Sequence, residues 1–159
     1  MSVTIRPGER TDVAVIAELI RGLARYERLE GEVSMTEAGL EATLFGSRPY
    51  AETLIAESDG KAVGFALFFH NYSTFLGKPG IYLEDLFVLE TQRGAGVGKK
   101  LLARLAAIAV ERDCGRLEWA VLDWNKDAIG FYERLGAKPN SEWTVYRLAG
   151  DALAGLARE

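Results

Sequence analysis

At 159 residues the chain is long enough to close one hydrophobic core and short for two, so a single domain over 1–159 is expected. Hydrophobic residues make up 48% and charged residues 26%, a balance that excludes a disordered chain. A net charge of −4 argues against nucleic acid as the main partner and suits a cationic small molecule. No apolar run reaches the length of a membrane span, and MSVTIRPGER has no signal-peptide core, so a cytoplasmic protein with no membrane partner is expected. One cysteine, Cys114, excludes an internal disulfide and reads as a small structural residue. With one histidine, His70, no metal site is expected, and His70 has no partner at catalytic spacing.

The chain opens on a short strand, VTIR, ended by Pro7 and Gly8. Thr11 and Asp12 supply an N-cap, and Val13, Ile16, Ala17, Leu19, Ile20 and Leu23 recur at helical spacing to about Tyr26. An acidic stretch follows with Glu27, Glu30, Glu32 and Glu37. It is either a solvated surface or, because it clusters with Tyr26, a face toward a cationic substrate. Thr36 caps a second short helix that ends near Leu44. Thr53 to Glu57 and Ala62 to Tyr72 read as strands joined by an Asp59-Gly60 hairpin turn. The loop STFLGKPG leads to a strand from Ile81 to Val88. A long helix follows with Val97, Leu101, Leu102, Leu105, Ile108 and Ala109 as its buried face and Gly115 as its stop. Leu117 to Leu122 is a further strand, Asn125 to Leu135 a helix stopped by Gly136, and Trp143 to Leu148 a final strand before a tail of helical character. The order β-α-α-β-β-β-α-β-α-β predicts an α/β fold, a mixed sheet with helices on both faces.

Between the Ile81 strand and the long helix lies QRGAGVGK, with glycines at 94, 96 and 98. A strand, a glycine turn and a helix start can cradle a phosphate, because the first amides of a helix have no partner within it and sit at its positive end. Spacing separates the known cradles. A P-loop needs glycine where Arg93 stands and Ser or Thr where Lys100 stands. A dinucleotide fingerprint needs glycine where Lys99 or Leu101 stands. A ligand-free turn would require fewer glycines and no helix behind it.

The pattern Arg93-x-x-Gly96-x-Gly98, preceded by Gln92, resembles the acetyl-CoA pyrophosphate loop of the GNAT superfamily of N-acetyltransferases. The segments ARYERLE, YSTFLGK, YLEDLFV, QRGAGVG, AVLDWN and FYERLGA together resemble its spermidine/spermine acetyltransferase group, and within it the thialysine branch. That resemblance implies a GNAT fold with a splayed pair of parallel strands for acetyl-CoA, here Ile81 to Val88 and Leu117 to Leu122. It implies that Phe87 and Val88 meet the pantetheine arm with backbone groups. The amides through Arg93, Gly94, Ala95, Gly96, Val97, Gly98 and Lys99 would hold the pyrophosphate. Asn125 would touch the CoA arm, or cap the helix it precedes. A homodimer is also implied.

The polyamine-acetylating members carry Asp and Trp where this chain has Ser73 and Phe75, whereas Ser73-Thr74 and Leu122-Asp123-Trp124-Asn125 match the thialysine type, whose substrates are lysine-like amino acids. The implied activity is direct acetyl transfer to a small primary amine. Such an amine is protonated at neutral pH and must lose a proton before it attacks. Glu84 and Asp85 interrupt an apolar strand, where unpartnered carboxylates are costly. Alternation sends them to opposite faces unless a bulge intervenes. Glu84 is the expected general base, through water, and Asp85 positions the ammonium; the alternative is that both satisfy nearby arginines or backbone. Tyr132 matches the tyrosine that protonates the departing thiolate. Tyr26, Glu27, Glu30 and Trp143 are further candidates for the amine pocket, with a core role for Trp143 as the alternative. Two other functions stay open: a polyamine acetyltransferase, and an acyl-CoA-binding sensor without catalysis, against which Glu84 and Tyr132 both argue.

Overall fold

The structure is a computed structural model that describes residues 2–159. The elements are β1 (Val3–Pro7), α1 (Val13–Tyr26), α2 (Glu37–Leu44), β2 (Glu52–Ser58), β3 (Lys61–Ser73), β4 (Lys78–Val88), α3 (Val97–Glu111), β5 (Leu117–Trp119), α4 (Lys126–Arg134) and α5 (Gly150–Leu156). Residues 1–120 form one compact unit and 121–159 a second.

The first unit is built on a five-stranded sheet in the order β1-β2-β3-β4-β5, antiparallel except for the β4–β5 pair. That parallel pair is where the chain must cross over, and α3 makes the crossing. Alternate strand residues divide the sheet into two faces. Ile55, Phe65 and Phe87 look one way and bury Ile16, Leu19 and Leu23 of α1. Leu54 and Phe68, by parity, and Ile81 and Leu83, through an irregularity in β4, lie on the opposite face and are buried, and α3 packs across the sheet with Leu101, Leu105 and Ile108 turned inward. Each such side chain contributes about 1.5–3 kcal/mol by leaving water.

Several local expectations change in detail. Asp12 does not close α1 with a side-chain cap bond. It accepts the Glu9 N–H at 2.7 Å and is gripped by both terminal nitrogens of Arg6, at 2.8 and 2.9 Å. Thr36 does cap α2, accepting from Gly39 at 3.0 Å. β3 and β4 run further than read, so only 74–77 turns between them. Gly115 does not stop α3. Asp113 does, at φ 55°, with the Cys114 N–H reaching back to the Ala109 carbonyl at 2.8 Å. Gly115 lies instead against Leu76, where a Cβ would fall 2.6 Å from Cδ1.

The larger corrections lie after α3. β5 ends at Trp119 rather than Leu122, and no strand forms over 143–148. That segment is rich in β-forming residues, yet a strand exists only through a partner's hydrogen bonds, and among the described residues it has none. Trp143, Val145 and Tyr146 are 76%, 91% and 93% exposed, so Trp143 is not a core residue. α4 is as expected. Asn125 accepts the Ala128 N–H at 3.3 Å, and Gly136 ends the helix at φ 93° with the Ala137 N–H on the Tyr132 carbonyl.

Candidate active site

The centre of the first unit's site is a β-bulge. Leu67 of β3 stands opposite Asp85, but the next residue, Phe68, stands opposite Leu83, leaving Glu84 as the extra residue of β4. Parity alone would place Glu84 and Asp85 on opposite faces. The inserted residue cancels that alternation and turns both toward the α1 side. Glu27, just past the end of α1, reaches the same place. Asp85 is pushed up to about 6 by burial first, then by the charges of Glu84 and Glu27. Every one of those influences raises it. Glu27 is likewise raised, by burial and then by Glu84. Three carboxylates thus share one small region, with Glu84 the exposed member and Asp85 the most buried.

β4 continues past the bulge to Val88, but β5 pairs only with Ile81 to Leu83. Among the described residues, the edge from Glu84 to Val88 therefore has no strand on that side. Beyond it the chain turns through Glu90–Gln92 into the glycine loop, where Gly94 and Gly96 take φ of 84° and 80°. A side chain is strained in that conformation, and a Cβ at either glycine would meet nothing within 4 Å. The loop is therefore open on its outer side. The first backbone bond of α3 runs from the Lys100 N–H to the Gly96 carbonyl at 3.0 Å, so the amides of Val97, Gly98 and Lys99 lie ahead of it with no acceptor inside the helix. The open loop, the free amides and the unpaired strand edge fit a diphosphate carried on an extended pantetheine arm.

Arg93 does not point its charge into that cradle. Its guanidinium lies 4.6 Å from the centre of the Tyr26 ring and 5.6 Å from that of Phe87, and its Nε donates to the Val88 carbonyl at 3.1 Å. It ties the end of α1, the edge of β4 and the glycine loop together, with Gln92 half-buried beside it. Tyr26 consequently packs under Arg93 rather than standing alone at the pocket.

Among the other expected residues of the first unit, none acts on the Asp85 or Glu27 carboxyl. Glu30 opens an exposed turn three residues past Glu27. Ser73 is buried at the β3–β4 turn, where its Oγ accepts the Leu76 N–H at 3.2 Å, and Thr74 is exposed beside it. Six strand residues separate that turn from Glu84, about 20 Å. Asn125, Tyr132 and Trp143 belong to the second unit. There Tyr132 is half-buried on α4, its ring 5.5 Å from that of Phe131. Sequence reasoning passed over Tyr82, which stands two residues before Glu84 on the same face and whose hydroxyl is raised by burial, Glu84 and Glu118. Period-two counting from Glu84 would have found it. His70 is held by Arg112 at Nε2, 2.8 Å away, and by the Gly80 carbonyl at Nδ1, 2.9 Å away, on the face turned toward α3. Among the described residues no three His, Cys, Asp or Glu side chains are placed to hold a metal ion.

Comparison with known proteins gives the family and the fold. The sequence model of the acetyltransferase (GNAT) family matches residues 17–137. The thialysine N-epsilon-acetyltransferase of Bos taurus is 39% identical over 166 residues, covering 98% of this chain and 97% of that protein. The L-ornithine N5-acetyltransferase of Arabidopsis thaliana is 37% identical, over 96% of this chain and 86% of that protein. Among solved structures, an integron cassette protein from the mobile metagenome of V. cholerae superposes with a TM-score of 0.84 at 29% identity, covering 100% of this chain and 99% of that one. Enzymes of this family draw their acetyl group from acetyl-CoA, and the chain belongs to the GNAT acetyltransferase family.

Proposed function

We propose that the protein transfers acetyl from acetyl-CoA to the side-chain amine of a small lysine-like amino acid such as thialysine. The observation that carries this reading is the meeting of Glu84, Asp85 and Glu27 beside the open glycine loop, a surplus of negative charge suited to a substrate ammonium. The two curated relatives, named for thialysine and for ornithine, support the same acceptor class.

Acetyl-CoA supplies the activated acyl group as a thioester. The amides from Gly94 to Lys99 bind its diphosphate, and Phe87 and Val88 offer backbone groups along the β4 edge. Glu27 and Asp85 hold the incoming ammonium in place. Glu84, open to solvent, takes the amine's proton through water, and Asp85, raised to about 6, sits close enough to neutral pH to share that proton. As the N–C bond forms and the C–S bond breaks, the Tyr132 hydroxyl gives its proton to the departing thiolate. Asn125 caps α4 in the segment carrying that tyrosine.

The setting we infer is cytoplasmic, supported by a single unpaired cysteine. The form we infer is a homodimer, whose second copy would cover the apolar side chains exposed at Trp143, Val145 and Tyr146. Sedimentation as a dimer at micromolar concentration would support it, and a monomer would refute it.

Release of free CoA thiol, followed with thialysine, lysine, ornithine, spermidine, putrescine and a basic peptide, tests the acceptor. Turnover highest with thialysine or another lysine-like amino acid, and lost in Tyr132→Phe, is the expected result. Preference for spermidine overturns the acceptor assignment, and acetyl-CoA binding without turnover of any amine would favour a sensor.

A further inference from the structure

Away from the bulge toward the start of β4, the α1-side face of the sheet remains polar. Tyr82 packs its ring 5.4 Å from that of Phe69 on β3 and stands opposite Glu118 of β5. Its hydroxyl responds to Glu84 on one side and to Glu118 on the other, so the two carboxylates flank one phenol. Next to it, Arg116 Nε lies 3.1 Å from Glu118 Oε1, and Asn71 Nδ2 donates to that same oxygen at 3.1 Å. Asn71 crosses from β3 to β5 because its partner on β4 is Gly80, where a Cβ would fall 2.4 Å from Asn71 Oδ1. The side chains of Arg116 and Glu118 are still 47% and 33% exposed, so a solute can reach both.

Spacing links this group to the carboxylates at the bulge. Glu118 is level with Tyr82, and at about 3.3 Å per residue Glu84 and Asp85 lie about 7–10 Å further along the strand. That span suits an extended lysine-type side chain with its terminal amine at the bulge. The other end of such a molecule carries an ammonium beside a carboxylate, and an adjacent Glu and Arg present the two opposite charges in matching order. A diamine has no group for the arginine.

We propose that Arg116 and Glu118 form the subsite for the α-amino-acid end of the acceptor. Arg116 takes the α-carboxylate and Glu118 the α-ammonium, with Asn71 holding the Glu118 carboxylate in place. This deepens the lysine-like reading and rests on it.

The test compares kcat/KM, at saturating acetyl-CoA, for thialysine and for the diamine that remains when its carboxylate is removed. Wild type should favour the amino acid. In Arg116→Gln the ratio should fall about tenfold or more, mainly through the KM for thialysine, as expected for loss of a hydrogen bond between charged groups. Arg116→Lys should restore part of it. Arg104→Gln, which removes an exposed ion pair with Glu111 on α3, should leave the ratio where it was. An unchanged ratio in Arg116→Gln, in a protein whose wild type does acetylate thialysine, overturns the subsite and leaves the acceptor assignment standing. Failure of the wild type on every lysine-like amino acid overturns both. Should Arg116→Gln not fold, Glu118→Gln compared on thialysine and its α-hydroxy analogue asks the same question. Equal losses on the two would overturn the subsite, and a loss confined to thialysine would support it.

Discussion

At one edge of the sheet Arg6 grips Asp12 with two hydrogen bonds and Glu57 with two more. At the bulge of β4, Glu84, Asp85 and Glu27 meet, and burial with the charge of Glu84 raises both Asp85 and Glu27. The first group is electrically closed. Hydrogen bonding from Arg6 holds the Asp12 carboxyl below its usual range despite burial, and the two carboxylates in turn raise Arg6. The second group is open, with burial and like charge acting together on Asp85. Of these two groups, the one at the sheet edge is compensated from within the protein, whereas the one at the bulge carries negative charge that a bound cation would compensate.

The sharpest way to break that contrast is at the bulge. Glu84→Gln or Asp85→Asn should lower kcat/KM for the amine by ~10²–10⁴ with the fold intact, the usual range for a lost acid–base group. In wild type the rate should climb as pH rises through about 6, where Asp85 ionises, and Asp85→Asn should remove that limb from the pH profile.

At the closed cluster the effect should fall on stability instead. Arg6→Gln leaves Asp12 and Glu57 without their donor and should cost ~1–3 kcal/mol in urea unfolding, with activity per folded molecule retained. Because the folded Asp12 is lowered, its contribution is fully present above its unfolded value and is lost as pH falls through the folded one.

Asp85 has the opposite sign. Its folded value lies above the ordinary 3.8, so the native state holds the proton more tightly and stability declines as pH rises from about 4 to about 6. Asp85→Asn should therefore be on the order of 3 kcal/mol more stable than wild type at pH 8 and no more stable at pH 3.5, as judged by Tm. A variant that is less stable at pH 8 would show that Asp85 is compensated after all.

The glycine loop offers a smaller effect. Gly96→Ala forces a side chain to φ 80° and should cost ~1–2 kcal/mol while raising the KM for acetyl-CoA more than that for the amine.

Much of this was legible in the chain. The helices α1 and α3 follow from apolar residues three and four apart, α4 is marked by Asn125 before it and Gly136 after it, and the antiparallel pair follows from two strand-forming runs joined by the Asp59-Gly60 turn. The cradle was legible because glycines at 94 and 96, immediately before an amphipathic run, mark a loop whose backbone must be left-handed and bare. Glu84 and Asp85 stood out as charges in an apolar strand. Asn71, Arg116 and Glu118 carried no such mark, since isolated polar residues on strands are ordinary. Only the pairing of β3, β4 and β5 puts them side by side.

By itself the sequence determined most of what depends on near neighbours: helix periods, the Asp59-Gly60 turn, the Thr36 and Asn125 caps and the glycine-loop helix start. The tertiary structure decided what depends on partners distant in the chain. The bulge is a property of the β3–β4 register, and it alone turns Glu84 and Asp85 to one face. The rise of Asp85 comes first from its burial and from Glu84, and Glu27, fifty-eight positions away, adds to it because the fold brings it to the same place. The residues 143–148 show the converse case. Their side chains favour a strand, but the backbone hydrogen bonds that make one must come from another strand, and among the described residues none supplies them.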